Sequence, residues 1–132
     1  MKTTNTIELS SPVSGSIIRL ADVNDAVFSK HLMGDGFAIK PTNGKIVSPI
    51  SAVISFIAPT KHAVGLKTED GLEIILHFGI DTVELNGVPF QISINEGDHV
   101  EKNTEIGVMN LKEIEASGKD TTVMLAITNT TE

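Results

Sequence analysis

Residues 59–87 read PTKHAVGLKTEDGLEIILHFGIDTVELNG. Two aliphatic runs, 64–67 and 72–78, flank Thr68-Glu69-Asp70-Gly71. A short polar loop that closes on glycine is the connection β-hairpins use. With a four-residue loop, His62 stands opposite His77 on one face of the sheet, with Cβ atoms about 4.5–5.5 Å apart. The same register sets Val64 against Ile75 and Ala63 against Leu76, so apolar meets apolar. A two-residue loop at Asp70-Gly71 would leave the histidines diagonal, at roughly 7–8 Å. A loop with an odd number of residues would put them on opposite faces, because a one-residue slip inverts every side chain. The four-residue register is preferred.

Outside this hairpin, short β-branched or alternating runs continue the pattern at 7–9, 16–20, 37–40, 52–58, 90–94, 105–109 and 123–128. Gly, Pro, Asn and Asp punctuate them. Ser11-Pro12-Val13-Ser14-Gly15-Ser16-Ile17 is echoed by Ser48-Pro49-Ile50-Ser51-Ala52-Val53-Ile54, each a proline-started turn feeding a strand. Asn95-Glu96-Gly97-Asp98 is a further tight turn. Helical periodicity is confined to about one turn around 25–32, opening at Asn24, and a short segment at 111–115. The expected fold is therefore all-β, an antiparallel sandwich or barrel of many short strands with one or two short helical turns. No linker or composition break divides residues 1–132, so a single domain is expected.

Composition narrows the chemistry. The chain has 132 residues, a net charge of −7, no cysteine, and neither Trp nor Tyr. Disulfides, thiolate nucleophiles and cysteine-ligated metals are excluded. Nucleic acid is a poor partner for an acidic surface that lacks stacking side chains. The acidic balance suits a basic protein partner, or simply keeps a small protein soluble. No run approaches the ~20 apolar residues of a membrane span, and the opening MKTTNTIELSSP lacks the apolar core of an export signal. A cytoplasmic location is expected.

Two adjacent imidazoles permit particular chemistry. A neutral ring nitrogen can attack phosphorus, and a second ring alongside can donate to the phosphoryl oxygens. Neighbouring imidazoles also disfavour double protonation, which keeps a nucleophile neutral. Thr60, two residues before His62, can fix which nitrogen of His62 carries the proton. From spacing alone, a structural histidine pair, phosphoryl or acid–base chemistry, and metal ligation all stay open. A closed zinc site wants four ligands, and His31 and His99 offer no paired spacing; both are expected at the surface. Asp81 and Glu84 could supply carboxylates or form a solvated rim.

The blocks GDGFAIKP at 34–41, PTKHA at 59–63, HFGIDTVELNG at 77–87 and EGDHV at 96–100 resemble the glucose-type enzyme IIA of the bacterial phosphoenolpyruvate-dependent sugar phosphotransferase system. The similarity runs from about Ile7 to Thr128. It implies a mostly antiparallel β-sandwich that works as a phosphoryl carrier, a histidine phosphotransferase. His77 matches the phosphorylated histidine, His62 the partner that stabilises the phosphoryl group, and Thr60 the threonine bonded to that partner. The implied donor is phospho-HPr and the implied acceptor is a cysteine on the IIB domain of a sugar permease, through which alone the chain would meet a membrane. No cofactor or metal is implied, and no particular sugar, since a IIA domain passes phosphate to protein.

By position, Val27, Phe28, Ile75 and Gly79 fall on the family's apolar rim, and Asp25 and Asp81 match acidic positions that would meet HPr's arginines. Such a rim excludes water from a phosphohistidine while the charges outside it select the partner. Core packing is the competing reading for Val27, Phe28 and Ile75. Departures are Ala52 for a glycine, Asn103 for a turn glycine and Asn110 for an aspartate. The family also continues for another strand or two beyond the last segment, so that edge is expected to be trimmed or the chain a fragment. Two other readings remain: a regulatory module that binds partners according to its phosphorylation, and a zinc hydrolase on a related scaffold, which needs an H-x-H pair that this chain lacks.

Overall fold

In Glu73–Ile80 the pleat is written directly in the side chains. Ile74, Leu76 and Phe78 are buried, whereas Glu73 is exposed and Ile75 and His77 are half-buried. This is a strand with one face in a core and the other near the surface. The computed structural model describes residues 9–23, 25, 30 and 34–129. Its strands are β1 Gly15–Arg19, β2 Asp35–Pro41, β3 Lys45–Val47, β4 Ala52–Ile57, β5 Ala63–Lys67, β6 Glu73–Ile80, β7 Phe90–Ile92, β8 His99–Val100, β9 Glu105–Met109 and β10 Asp120–Ile127. Helix α1 spans Leu111–Ala116, and 3-10 turns lie at Leu20–Asp22 and Thr82–Leu85.

The strands form a seven-stranded sheet in the order β1-β2-β10-β6-β5-β4-β8 and a three-stranded sheet in the order β3-β9-β7. Every pairing is antiparallel. The main core lies between them, with Ile39, Leu66, Leu76, Phe78, Val123 and Leu125 of the larger sheet in one cluster with Ile46, Phe90, Ile106 and Met109 of the smaller. This is the expected all-β sandwich. A second, smaller cluster covers the opposite face of the larger sheet: Leu20, Val23, Ala38, Ile80, Met124 and Ala126, with Ile75 packed against it. His77 lies on that second face, beside Met124 in the β6–β10 ladder.

Alternation along β6 breaks at Gly79, which takes φ 82. Phe78 belongs to the main core and Ile80 to the smaller cluster, so the left-handed residue turns the next side chain to the other face. Asp81, with φ 61, makes a second left-handed step immediately afterwards.

The hairpin departs from its sequence expectation in register. β5 pairs Ala63 with His77, Val64 with Leu76 and Gly65 with Ile75. The turn is odd, not four-residue: Thr68 N–H donates to the Leu72 carbonyl at 2.9 Å, around Glu69, Asp70 and Gly71, with Gly71 at φ 91. A three-residue turn with a left-handed glycine in third place pairs Lys67 with Glu73 instead of Leu72, which shifts the register by one residue. Parity would then send His62 to the core face with Val64 and Leu66. It does not go there, because His62 precedes the first residue of β5, just after a turn at Lys61 (φ 61) closed by Lys61 N–H to the Ala58 carbonyl at 2.8 Å. The histidines meet, but through this turn and not through direct cross-strand opposition.

β3 and β8 were not expected; with three and two residues they are too short to show a period. The turn near 25–32 and the strand at 7–9 fall largely outside the described residues. Asn103 adopts φ 73, the conformation for which it substitutes well for glycine. Asn110 caps α1, accepting from the Glu113 N–H at 3.1 Å.

Candidate active site

The rings of His62 and His77 stand edge to face, with centroids 5.0 Å apart and planes at 75°. Each imidazole has a different partner on Nδ1. His77 Nδ1 lies 2.9 Å from the carbonyl oxygen of Gly79, two residues further along the chain. A carbonyl can only accept, so Nδ1 carries the proton and Nε2 carries the lone pair. His62 Nδ1 is hydrogen-bonded to the Thr60 hydroxyl. A hydroxyl that donates there leaves the Nε2–H of His62 as an outward donor.

The backbone around both contacts is constrained. Gly87, at φ 81, passes the Thr60 carbonyl so closely that a Cβ there would sit 3.2 Å from its oxygen. At Gly79 a Cβ would stand 2.4 Å from the Thr82 methyl and 2.9 Å from the Asp120 carbonyl oxygen. The Phe78 N–H donates to the His62 carbonyl at 2.7 Å, tying the two histidine-bearing segments together.

Burial pushes the His77 imidazole below its ordinary pKa, and the positive charge of a protonated His62 adds to that. The Gly79 hydrogen bond and the carboxylates of Asp25 and Asp81 act in the opposite direction without reversing it. His62 is also lowered, by burial. Two neutral, adjacent, oriented imidazoles can offer one ring nitrogen as a nucleophile and the other ring's N–H as an oxyanion donor.

The structure brings Thr60, His62 and His77 together. Ile75 is half-buried against the smaller cluster, on the His77 face. Gly79 is buried, Asp81 exposed and Asp25 half-buried. Val27, Phe28 and His31 lie outside the described residues. His99 is on the surface, 3.5 Å from Glu101, and Glu84 is exposed with the Lys119 ammonium at 2.7 Å. Among the described residues, no group of three or more His, Asp or Glu could hold a metal ion. Two features beside His77 were not visible in the sequence: the acceptor carbonyl of Gly79, and the Thr82 hydroxyl bonded to the Phe78 carbonyl. Their one sequence signal is the pair of glycine and threonine within HFGIDT, where no periodicity reports a backbone acceptor.

The family model for the phosphoenolpyruvate-dependent sugar phosphotransferase system, EIIA 1, matches residues 7–132. The chain belongs to that family. It is therefore a IIA component, a phosphotransferase, and the family is a phosphoryl carrier that works with HPr and with sugar-specific IIB and IIC components. The glucose-specific EIIA component of Staphylococcus aureus (strain COL) is 40% identical over 94% of this chain and 75% of that protein. The glucose-specific EIICBA component of Streptococcus pneumoniae is 44% identical over 94% of this chain, which spans only 17% of that longer protein. Glucose permease IIA from Mycoplasma capricolum superposes with a TM-score of 0.92 at 33% identity, over 99% of this chain and 86% of that one. Helicobacter pylori Csd3 shares the fold over 89% of this chain and 29% of its own, with a TM-score of 0.57 at 15% identity. Among the described residues no helix is long and apolar enough to cross a membrane.

Proposed function

We propose that His77 is the phosphoryl-carrying residue of this IIA domain, with His62 as the donor to the phosphoryl oxygens and Thr60 as the group that orients His62. The observation that carries the reading is the hydrogen bond from His77 Nδ1–H to the Gly79 carbonyl, 2.9 Å long, beside a second imidazole at 5.0 Å. It leaves the Nε2 lone pair as the nucleophile. In the first step Nε2 forms a bond to phosphorus as the bond to the leaving group in phospho-HPr breaks, and HPr departs with that electron pair. In the second, the thiolate of a IIB cysteine attacks the same phosphorus and His77 recovers its lone pair. The Nε2–H of His62 donates to the oxygens of the phosphoryl group held on His77, where charge spreads as that group leaves in the second step.

Asp25, Asp81, Ile75 and Gly79, together with Val27 and Phe28, make the partner surface in this reading: an apolar surround that slows hydrolysis, with carboxylates that attract a cationic partner. The chain acts as one IIA domain, on the cytoplasmic side where a permease presents its IIB domain. Incubation with enzyme I, HPr and phosphoenolpyruvate, followed by mass spectrometry of intact protein and peptides, tests the assignment. One phosphoryl group on the peptide carrying His77 is expected; a phosphoryl group placed elsewhere overturns it.

A further inference from the structure

Thr82 is completely buried, yet it carries a polar side chain. Its hydroxyl donates to the carbonyl of Phe78, four residues earlier, and so closes a loop around Gly79, Ile80 and Asp81. Its methyl group lies on the open side of Gly79, where it would stand 2.4 Å from an added Cβ. Inside the loop the chain makes two left-handed steps, φ 82 at Gly79 and φ 61 at Asp81. Glycine reaches that conformation at little steric cost, but it also samples many others, so something must hold it there. The preceding peptide group is anchored too: the Phe78 N–H donates to the His62 carbonyl at 2.7 Å.

We infer that Thr82 is a positioning residue for the phosphoryl-transfer reaction. By clamping Phe78 and Gly79 it aims the Gly79 carbonyl at His77 Nδ1, and so it selects the tautomer that puts the lone pair on Nε2. The inference rests on His77 being the nucleophile. It adds that the hydroxyl of a residue five positions away, bonded to the Phe78 carbonyl, decides which nitrogen of that nucleophile can react. A buried threonine that merely satisfied the Phe78 carbonyl would support the fold without affecting the tautomer. The two roles therefore separate by experiment.

The test compares wild type, Thr82→Val and Thr82→Ser, each labelled with ¹⁵N-histidine. Valine keeps the shape and loses the hydroxyl, and serine keeps the hydroxyl and loses the methyl. Long-range ¹H–¹⁵N spectra read the His77 tautomer and its titration, and uptake of phosphate from phospho-HPr reads the rate. Wild type is expected to hold a single Nδ1–H tautomer. Thr82→Val is expected to populate both tautomers and to accept phosphate about tenfold more slowly, as a misdirected group does, while Thr82→Ser stays within about twofold of wild type. A Thr82→Val protein with the wild-type tautomer and rate overturns the inference, as does a Thr82→Ser protein as perturbed as Thr82→Val. If valine prevents folding, Thr82→Ala decides by the same spectra. Wild type that takes no phosphate on His77 would sink the functional reading alone, since the tautomer comparison still decides on Thr82.

Discussion

The Nδ1–H of His77 and the carbonyl of Gly79 form a 2.9 Å hydrogen bond that the chain makes with itself, two residues apart. A regular strand cannot do this, because its carbonyls point sideways into the ladder. Here the left-handed turn at Gly79 swings its carbonyl back under the imidazole. The conformation that interrupts the strand is the one that fixes the chemistry of His77.

Gly79→Ala should therefore damage fold and site together. The backbone would be strained at φ 82, and the new methyl would meet the Thr82 side chain at 2.4 Å and the Asp120 carbonyl oxygen at 2.9 Å. Left-handed strain of about 1–2 kcal/mol and overpacking of about 1–3 kcal/mol set the scale. Denaturant unfolding should show a loss within that combined range; unchanged stability would mean that the turn is not held as described.

His62→Gln leaves the lone pair on His77 in place. Phosphate uptake from phospho-HPr should persist, while onward transfer to a IIB domain falls by about 10²-fold, the usual cost of losing one oxyanion donor. Rapid-quench measurement of the two steps separates them, and equal losses in both would contradict a role centred on the outgoing transfer.

Thr60→Val removes the hydroxyl bonded to His62 Nδ1 without much change of shape. The lost hydrogen bond corresponds to about 0.5–1.5 kcal/mol, or roughly 2- to 12-fold in transfer rate. The tautomer of His77 should stay as in wild type, because its own acceptor is Gly79. Loss of that tautomer in Thr60→Val would show that the two imidazoles are not independently oriented.

The pH response follows from both imidazoles being lowered, His77 by burial and by the charge of His62, and His62 by burial. In the folded protein each stays neutral below the ordinary histidine pKa of about 6.5, so phosphate uptake should hold from pH 7 through 6.5 and fall only in more acidic solution. The unfolded chain binds protons first, so folding stability is full above about 6.5 and is lost as pH falls through the folded pKa values. Denaturation across this range, repeated on His77→Ala, should show a shallower loss in the variant. An equal slope would place the linkage elsewhere.

Most of the fold was legible because long strands report themselves. The alternation in 74–78, the glycine-closed loop at 68–71 and the β-branched run at 123–128 each mark an element. β3 and β8 carried no period, so only tertiary pairing reveals them. The site was legible in its residues but not in its geometry. Thr60, His62 and His77 were identified, yet the register that seemed to join the histidines was one residue out. The turn at Lys61, outside the ladder, restored the contact that pairing alone would have abolished. The acceptor carbonyl of Gly79 is a backbone group placed by a left-handed turn, and no periodicity announces it.

Whether His77 carries the phosphoryl group is read by intact-protein and peptide mass spectrometry after incubation with enzyme I, HPr and phosphoenolpyruvate. Wild type should gain one acid-labile phosphoryl group on the peptide containing His77, and His77→Ala should gain none while keeping its fold. Uptake that persists in His77→Ala, or a wild-type chain that takes up nothing, would contradict that role.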